Sequence, residues 1–383
     1  MFQPQERFLR HAPRDGRTFR AKRNLWVMLN VDPMLLTGLV LASVVGMFEL
    51  YSASERNIDM MFKQAASFVL GYVLLLVMAQ IPPRLYRLWS PWFYLVGSIL
   101  LIAVAAFGQV RLGARRWLHI PGVTSIQPSE FMKLAMPMML AWFLSLRPLP
   151  PRWGTLLISF ALLLIPAALI ARQPDLGTAI LVFSSGFFCL FLGGLPWWLM
   201  GAFLAASVPA GWVAWKFLMH DYQRDRIITL FSPESDPLGN GWNIIQSKTA
   251  IGSGGLLGKG WLHGSQSHLD FLPEGHTDFV IAAFSEEFGF IGVWLLILLY
   301  ALIIGRSLHI ASATQDGYGR LLAGSLSLSF FVYVFVNIGM VSGILPVVGV
   351  PLPFISYGGT AVVTLLAGFG ILMSIHSHKK LMS

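Results

Sequence analysis

Asp278 stands where a polar stretch, Gly264 to Asp278 reading GSQSHLDFLPEGHTD, runs into a long apolar segment. A carboxylate fixed at a water boundary is what a general base requires. Pro273, Gly275 and Thr277 are start signals that predict a helix opening here, with Thr277 as its N-cap. On that helix Ser285 lies almost directly below Asp278. Glu286 sits about 80° round and about 12 Å deeper, and Glu287 faces the opposite side. An ionised acid in hydrocarbon is costly, so acids within apolar runs point to function by default. The same residues fit a plainer description equally well, with Asp278 complementing the helix dipole and Glu286 a satisfied structural acid.

The segment QPSEFMK, Gln127 to Lys133, opens another apolar run. Ser129 suits an N-cap, and Glu130 and Lys133 are helical neighbours at i, i+3. A lysine one turn inside a membrane must be paired or bound to an anion. One reading is a Glu130–Lys133 ion pair. The other is a phosphate contact from Lys133, strengthened by Arg115 and Arg116 and with Lys248 as a further cation, which would suit a lipid-linked pyrophosphate. In the turn QPDLGT, Asp175 is most simply an N-cap on the same side as Asp278. Near the C terminus Pro346, Pro351, Pro353, Gly358 and Gly359 interrupt the apolar pattern. Broken backbone at membrane depth survives only where it lines a cavity or is buried in protein. Thr360, following two glycines at a helix start, reads either as an anion site or as part of a Pro-rich re-entrant turn.

Two tempting patterns fail. Gly254 to Gly260 imitates a phosphate loop, but Ser253 stands where the first glycine belongs, Gly260 replaces the hydroxyl residue, and no strand precedes it. His263, His268, Asp270 and His276 lack metal-ligand spacing, so no metal site is assigned. The chain also has no Asp-x-Asp pair of the kind that holds a metal–nucleotide donor.

The elements that must position these residues are membrane spans. Of 383 residues 55% are hydrophobic and 12% charged, about half the charge of a soluble domain. About ten apolar windows recur, roughly at 33–53, 62–80, 92–107, 131–147, 155–171, 176–193, 196–217, 278–305, 321–345 and 357–376. Most reach the length that crosses hydrocarbon as helix, while those at 92–107 and 155–171 are short by that measure. Seven basic residues from Arg7 to Arg23 precede the first window, and eight more share their side, against six in the short loops of the other. The positive-inside rule therefore puts both termini in the cytoplasm. The expectation is an all-α polytopic membrane protein with about ten transmembrane helices and a basic tail at 1–30. Residues 31–383 then form one membrane domain, with a long periplasmic loop at about 218–277 between spans seven and eight. The net charge of +9 resides largely in that tail, where orientation and lipid contact account for it without nucleic acid. The single cysteine, Cys189, sits within a span and excludes an intrachain disulfide.

Taken together, the blocks QPSEFMK, QPDLGT, GKGWLHGSQSHLDFLPEGHTDF and GVPLPFISYGGT resemble the SEDS family (shape, elongation, division and sporulation). The wording GSQSHLDFLPE is most similar to its elongation branch. The resemblance runs from about Asp32 to the C terminus. It implies a peptidoglycan glycosyltransferase of the bacterial inner membrane, polymerising lipid II, a disaccharide-pentapeptide on undecaprenyl pyrophosphate, on the periplasmic side. It implies a class B penicillin-binding transpeptidase and other elongation-complex proteins as partners. The family's catalytic aspartate falls on Asp278, its span-four acid and lysine on Glu130 and Lys133, and its turn aspartate on Asp175.

The α-linked donor and β-1,4 polymer require inversion, hence one base on the acceptor hydroxyl and charge stabilisation for the departing pyrophosphate. Asp278 is the base in this reading. Arg115, Arg116 and Lys133 hold diphosphates, Glu130 and Asp175 position, and Lys248, Glu286 and Thr360 complete the substrate-binding set. No cofactor is required, and assistance by a divalent cation is left open. Two other classes use the same residues: a carrier moving lipid-linked sugar across the bilayer, and a scaffold for wall-synthesis partners. A carrier needs acids along its path, whereas here they gather at the outer mouth.

Overall fold

The structure, a computed structural model, describes residues 29–111, 114–118, 127–219, 221–235, 240–265 and 275–378. The basic residues of the N-terminal tail lie outside the described residues, as do His268 and Asp270. Twelve α-helices and one short hairpin are found among those described. Helices α1 (Pro33–Ala53), α2 (Ile58–Gln80) and α3 (Pro83–Phe107) lead into the antiparallel pair β1 (Gln109–Arg111) and β2 (Ala114–Trp117). Then come α4 (Pro128–Ser145), α5 (Trp153–Arg172), α6 (Leu176–Leu192) and α7 (Trp197–Val213), the last extended by a π-helical turn, Ala214–Leu218. Helices α8 (Asp221–Phe231) and α9 (Asn240–Ser253) fall in the expected long loop. Helices α10 (Val280–Ser312), α11 (Gly317–Val341) and α12 (Gly359–Ser377) close the chain.

The starts of these helices are written locally. The side chains of Asp32, Asn57, Asp175 and Asp316 accept from the third amide onward, capping α1, α2, α6 and α11. Pro33, Pro83 and Pro128 occupy first-turn positions, where a missing N–H costs nothing.

Among the described residues eight helices are long and apolar enough to cross a membrane: α1, α2, α3, α5, α7 with its π turn to Phe217, α10, α11 and α12. Two windows that looked short are full-length helices. The 92–107 window extends back to Pro83 and the 155–171 window to Trp153, because amphipathic first turns (Arg84, Arg87, Trp89) carry the helix beyond the purely apolar stretch. The windows at 131–147 and 176–193 fall on α4 and α6, of 18 and 17 residues. Both sit inside the bundle, α4 against α3, α6 and α11, and α6 against α5 and α11. An enclosed helix meets neighbours rather than lipid, so it carries Glu130 and Lys133 where a lipid-facing one could not. Around the outside, Val69, Leu88, Leu157 and Leu298 remain exposed, an apolar surface that suits hydrocarbon.

Helices α2, α4, α6, α10 and α12 begin at one end of the bundle. The Gln127 amide donates to Asp175 (3.1 Å), joining the starts of α4 and α6. The Tyr357 amide donates to the His276 carbonyl (2.9 Å), joining those of α12 and α10. The Gly358 amide donates to Gln64 on α2 (3.3 Å). This end collects the residues singled out by type and spacing.

Candidate active site

Asp278 lies in a turn at residues 275–279, half-buried, just ahead of α10. The helix starts two residues later than expected: its N-cap is Phe279, without a side-chain cap bond, and not Thr277. The turn is fixed instead by a residue distant in sequence. Asn337 of α11, fully buried, donates both to the Asp278 carbonyl (2.8 Å) and to the Val350 carbonyl (2.7 Å) in the Pro-rich segment. That segment is non-helical backbone held by side chains. Ser356 accepts from the Leu352 amide (2.8 Å), and Gln64 donates to the Ser356 carbonyl (3.4 Å). Gly349 brings its backbone so close that an added Cβ would lie 3.4 Å from the Asp278 carboxylate. Thr360 is exposed in the first turn of α12, beyond the Tyr357–His276 contact.

One turn into α4, the Lys133 ammonium meets Glu130 at 2.5 Å, and it lies 5.0 Å from the ring centre of Tyr333 on α11. Both charged residues are buried. The ion-pair reading is therefore what the side chains adopt here. Asp175 caps α6 through the Thr178 amide (3.2 Å) while accepting from Gln127. Lys133 and Tyr333 also line a narrow, partly open apolar pocket between α4, α6, α11 and α12.

Tyr333 and Asn337 are four residues apart on α11 and share one face, with Cβ atoms about 5–6 Å apart. One touches Lys133 and the other touches the Asp278 turn. So one face of α11 contacts both the turn that carries Asp278 and the buried acid–cation pair of α4. The N-termini of α4, α6, α10 and α12 gather at this end as well. Their partial positive charge favours an anion, such as a diphosphate, at this mouth.

The remaining expected residues are placed differently. Glu286 is fully buried and turned towards the long loop: its Oε1 pairs with Lys259 (2.6 Å) and accepts from the amide and hydroxyl of Ser265, each at 2.9 Å. Glu287 points away, to Ser52 on α1, with the buried Glu49 beside it. Lys248 on α9 reaches over the C-terminal turn of α11, where an added Cβ at Gly343 would meet its Nζ at 2.7 Å. Arg115 and Arg116 belong to β2, with side chains outside the described part. Among the described residues there is no group of three or more metal-ligating side chains.

At the opposite end Arg306 grips Asp32 through two bonds, of 2.5 and 3.2 Å, and His376 stands 3.3 Å away. Burial alone would push the Asp32 carboxyl up. The Arg306 hydrogen bond, the Leu35 amide and the charges of Arg306 and His376 outweigh it and hold the group below the usual carboxylate range.

Reading by residue type missed Asn337, Tyr333 and Lys259. The signal for the first two was present, since both are polar-tipped residues within an apolar span. Their partners, however, are 59 and 200 residues away in sequence.

Residues 24–381 match the family of cell cycle proteins that groups FtsW, RodA and SpoVE. The peptidoglycan glycosyltransferase MrdB of Escherichia coli K12 is 53% identical over 365 residues, 94% of this chain and 98% of that protein. A chain from a peptidoglycan synthase complex, solved in a study of coordinated polymerization and crosslinking, superposes with a TM-score of 0.80 at 30% identity. It covers 91% of this chain and 98% of its own. The rod shape determining protein RodA of Thermus thermophilus superposes with a TM-score of 0.69 at 27% identity, over 92% of this chain and 98% of that one.

Proposed function

The chain belongs to the FtsW/RodA/SpoVE family of cell cycle proteins and is a multi-pass membrane peptidoglycan glycosyltransferase, and from that premise we propose how its residues divide the reaction. The substrate is lipid II, polymerised into β-1,4-linked strands during elongation, with the mouth described above on the periplasmic face of the inner membrane. Asp278 takes the proton from the acceptor 4-hydroxyl as that oxygen forms its bond to the donor anomeric carbon. The carbon–oxygen bond to the pyrophosphate breaks on the opposite side, and the diphosphate leaves with the electron pair. This inverts the anomeric centre.

Lys133 stabilises the leaving diphosphate with Arg115, Arg116 and Lys248, aided by the helix N-termini around Thr360. Glu130 keeps Lys133 charged and aimed until the anion arrives. Asp175 and Glu286 hold the turns that shape the mouth. No cofactor takes part in this scheme, and a divalent cation would enter only as an aid to the diphosphate. The partner is a class B penicillin-binding transpeptidase, in line with the crosslinking complex to which one similar chain belongs.

The observation that carries the proposal is that α11 touches both groups, Asn337 holding the Asp278 turn and Tyr333, one helical turn away on the same face, lying against Lys133. The test is polymerisation of lipid II by purified protein. Asp278→Ala should abolish polymer on a gel while the protein remains folded. Wild-type polymer from that variant would remove Asp278 from the mechanism.

A further inference from the structure

The Gly-rich stretch that imitates a phosphate loop has a different geometry, and it meets α10 at a break. Gly289 has φ 65° and ψ −166°, which splits α10 into a short half, 280–288, and a long shaft from 290 onward. Such a break leaves carbonyls on one side and amides on the other without helical partners. The loop supplies both. Amides of Lys259 and Gly260 donate to the carbonyls of Glu286 (2.9 Å) and Glu287 (3.0 Å) below the break. Carbonyls of Gly255 and Leu256 accept from the amides of Phe290 (2.9 Å) and Ile291 (3.2 Å) above it. The approach excludes side chains: a Cβ on Gly258 would lie 2.1 Å from the Glu287 carbonyl oxygen. Lys259 and Ser265 then close on the buried Glu286 carboxylate. Trp261 ties the same loop to α1 through the Phe48 carbonyl (3.2 Å).

A helix broken at one residue can pivot there, and the pivoting half is the one that follows directly from Asp278. We infer that residues 254–265 form a staple across this break that sets the angle of the Asp278 half-helix. Gly258, Lys259 and Glu286 are then positioning residues for glycosyl transfer, acting through Asp278 without touching the reacting atoms. The inference rests on the assignment of Asp278 as base. It also separates Lys259 from the substrate-binding cations, because its ammonium is spent on Glu286.

The test compares kcat and KM for lipid II in the purified full chain carrying Gly258→Ala, Lys259→Met, Lys259→Arg or Asp278→Asn. Amide hydrogen exchange at Phe290 and Ile291 is followed alongside. A base displaced by about 1 Å can lose roughly a hundredfold in rate. Gly258→Ala and Lys259→Met should therefore lower kcat at least tenfold, leave KM within twofold, and speed exchange at those two amides. Lys259→Arg, which keeps a cation on Glu286, should recover most of the rate. If Gly258→Ala does not fold, Lys259→Met carries the test, since it adds no atom at the close backbone approach. Wild-type kcat in Lys259→Met, or a raised KM with unchanged kcat, would overturn the staple. With Asp278→Asn inactive, either result would leave the base assignment standing. An active Asp278→Asn would remove that assignment instead, whatever the staple variants do.

Discussion

The Glu130–Lys133 pair allows its structural and its catalytic contributions to be measured apart. At 2.5 Å and an effective dielectric near 20, two unit charges attract by about 7 kcal/mol. Removing both groups from water costs several kcal/mol per ion, so most of that attraction is offset. Deleting one partner leaves the other buried and uncompensated, at about 3–5 kcal/mol. Glu130→Gln strands the ammonium against Tyr333. Lys133→Met strands a carboxylate whose Oε2 has no hydrogen-bond partner among the described residues. The double variant replaces the pair by neutral groups of similar size and should cost only about 0–2 kcal/mol, because no buried charge remains. The coupling energy between the two sites is then at least about 4 kcal/mol. The chain carries its own reporter: Cys189 is its only cysteine and is fully buried on α6, beside α4. Reaction of its thiol with a maleimide dye during heating in detergent reads unfolding directly. Each single variant should unfold several degrees below wild type, and the double variant should return most of the way. Polymerisation should be lost in all three: Lys133→Met and the double variant lack the cation, and Glu130→Gln leaves it without the partner that aims it. Additive losses within about 0.5 kcal/mol would refute the pairing. Recovered activity in the double variant would take Lys133 out of the reaction.

Two further outcomes follow from the polar contacts. Asn337→Leu removes the donors to Asp278 and Val350 in a fully buried position. It should cost about 1–3 kcal/mol for the two stranded carbonyls and lower kcat more than it raises KM, as read by steady-state polymerisation. At the other end, the depressed Asp32 carboxyl contributes stability that is fully present above its unfolded value and is lost as pH falls through its folded value. Thermal unfolding followed by tryptophan fluorescence from pH 7 down to about 3 should therefore show a declining Tm in wild type as pH falls through the carboxylate range at about 4. Asp32→Asn should flatten that decline, and an equally steep one in the variant would exclude Asp32 as its source.

Much of this protein was decided by local chemistry. Hydropathy alone marks the apolar windows, because any helix facing lipid must be apolar along its whole length. The caps at Asp32, Asn57, Asp175 and Asp316 follow from short-range competition for the first amides, and Asp175 was readable as one for that reason. Glu130 and Lys133, three residues apart, could be paired on paper since the helix itself sets their distance. What only the tertiary structure decided is whatever depends on a partner far along the chain. Asn337 fixes the Asp278 turn across 59 residues, and so the helix starts at Val280 without the Thr277 cap. The glycines of 254–260 look like a failed phosphate loop until the break at Gly289 is beside them. Glu286 faces Lys259 because that loop returns to it, a contact no helical wheel contains. Periodicity reports which face of a helix is buried. Which neighbour lies there depends on how the helices pack, and in this chain that packing sets Asn337 on the Asp278 turn and Tyr333 against Lys133.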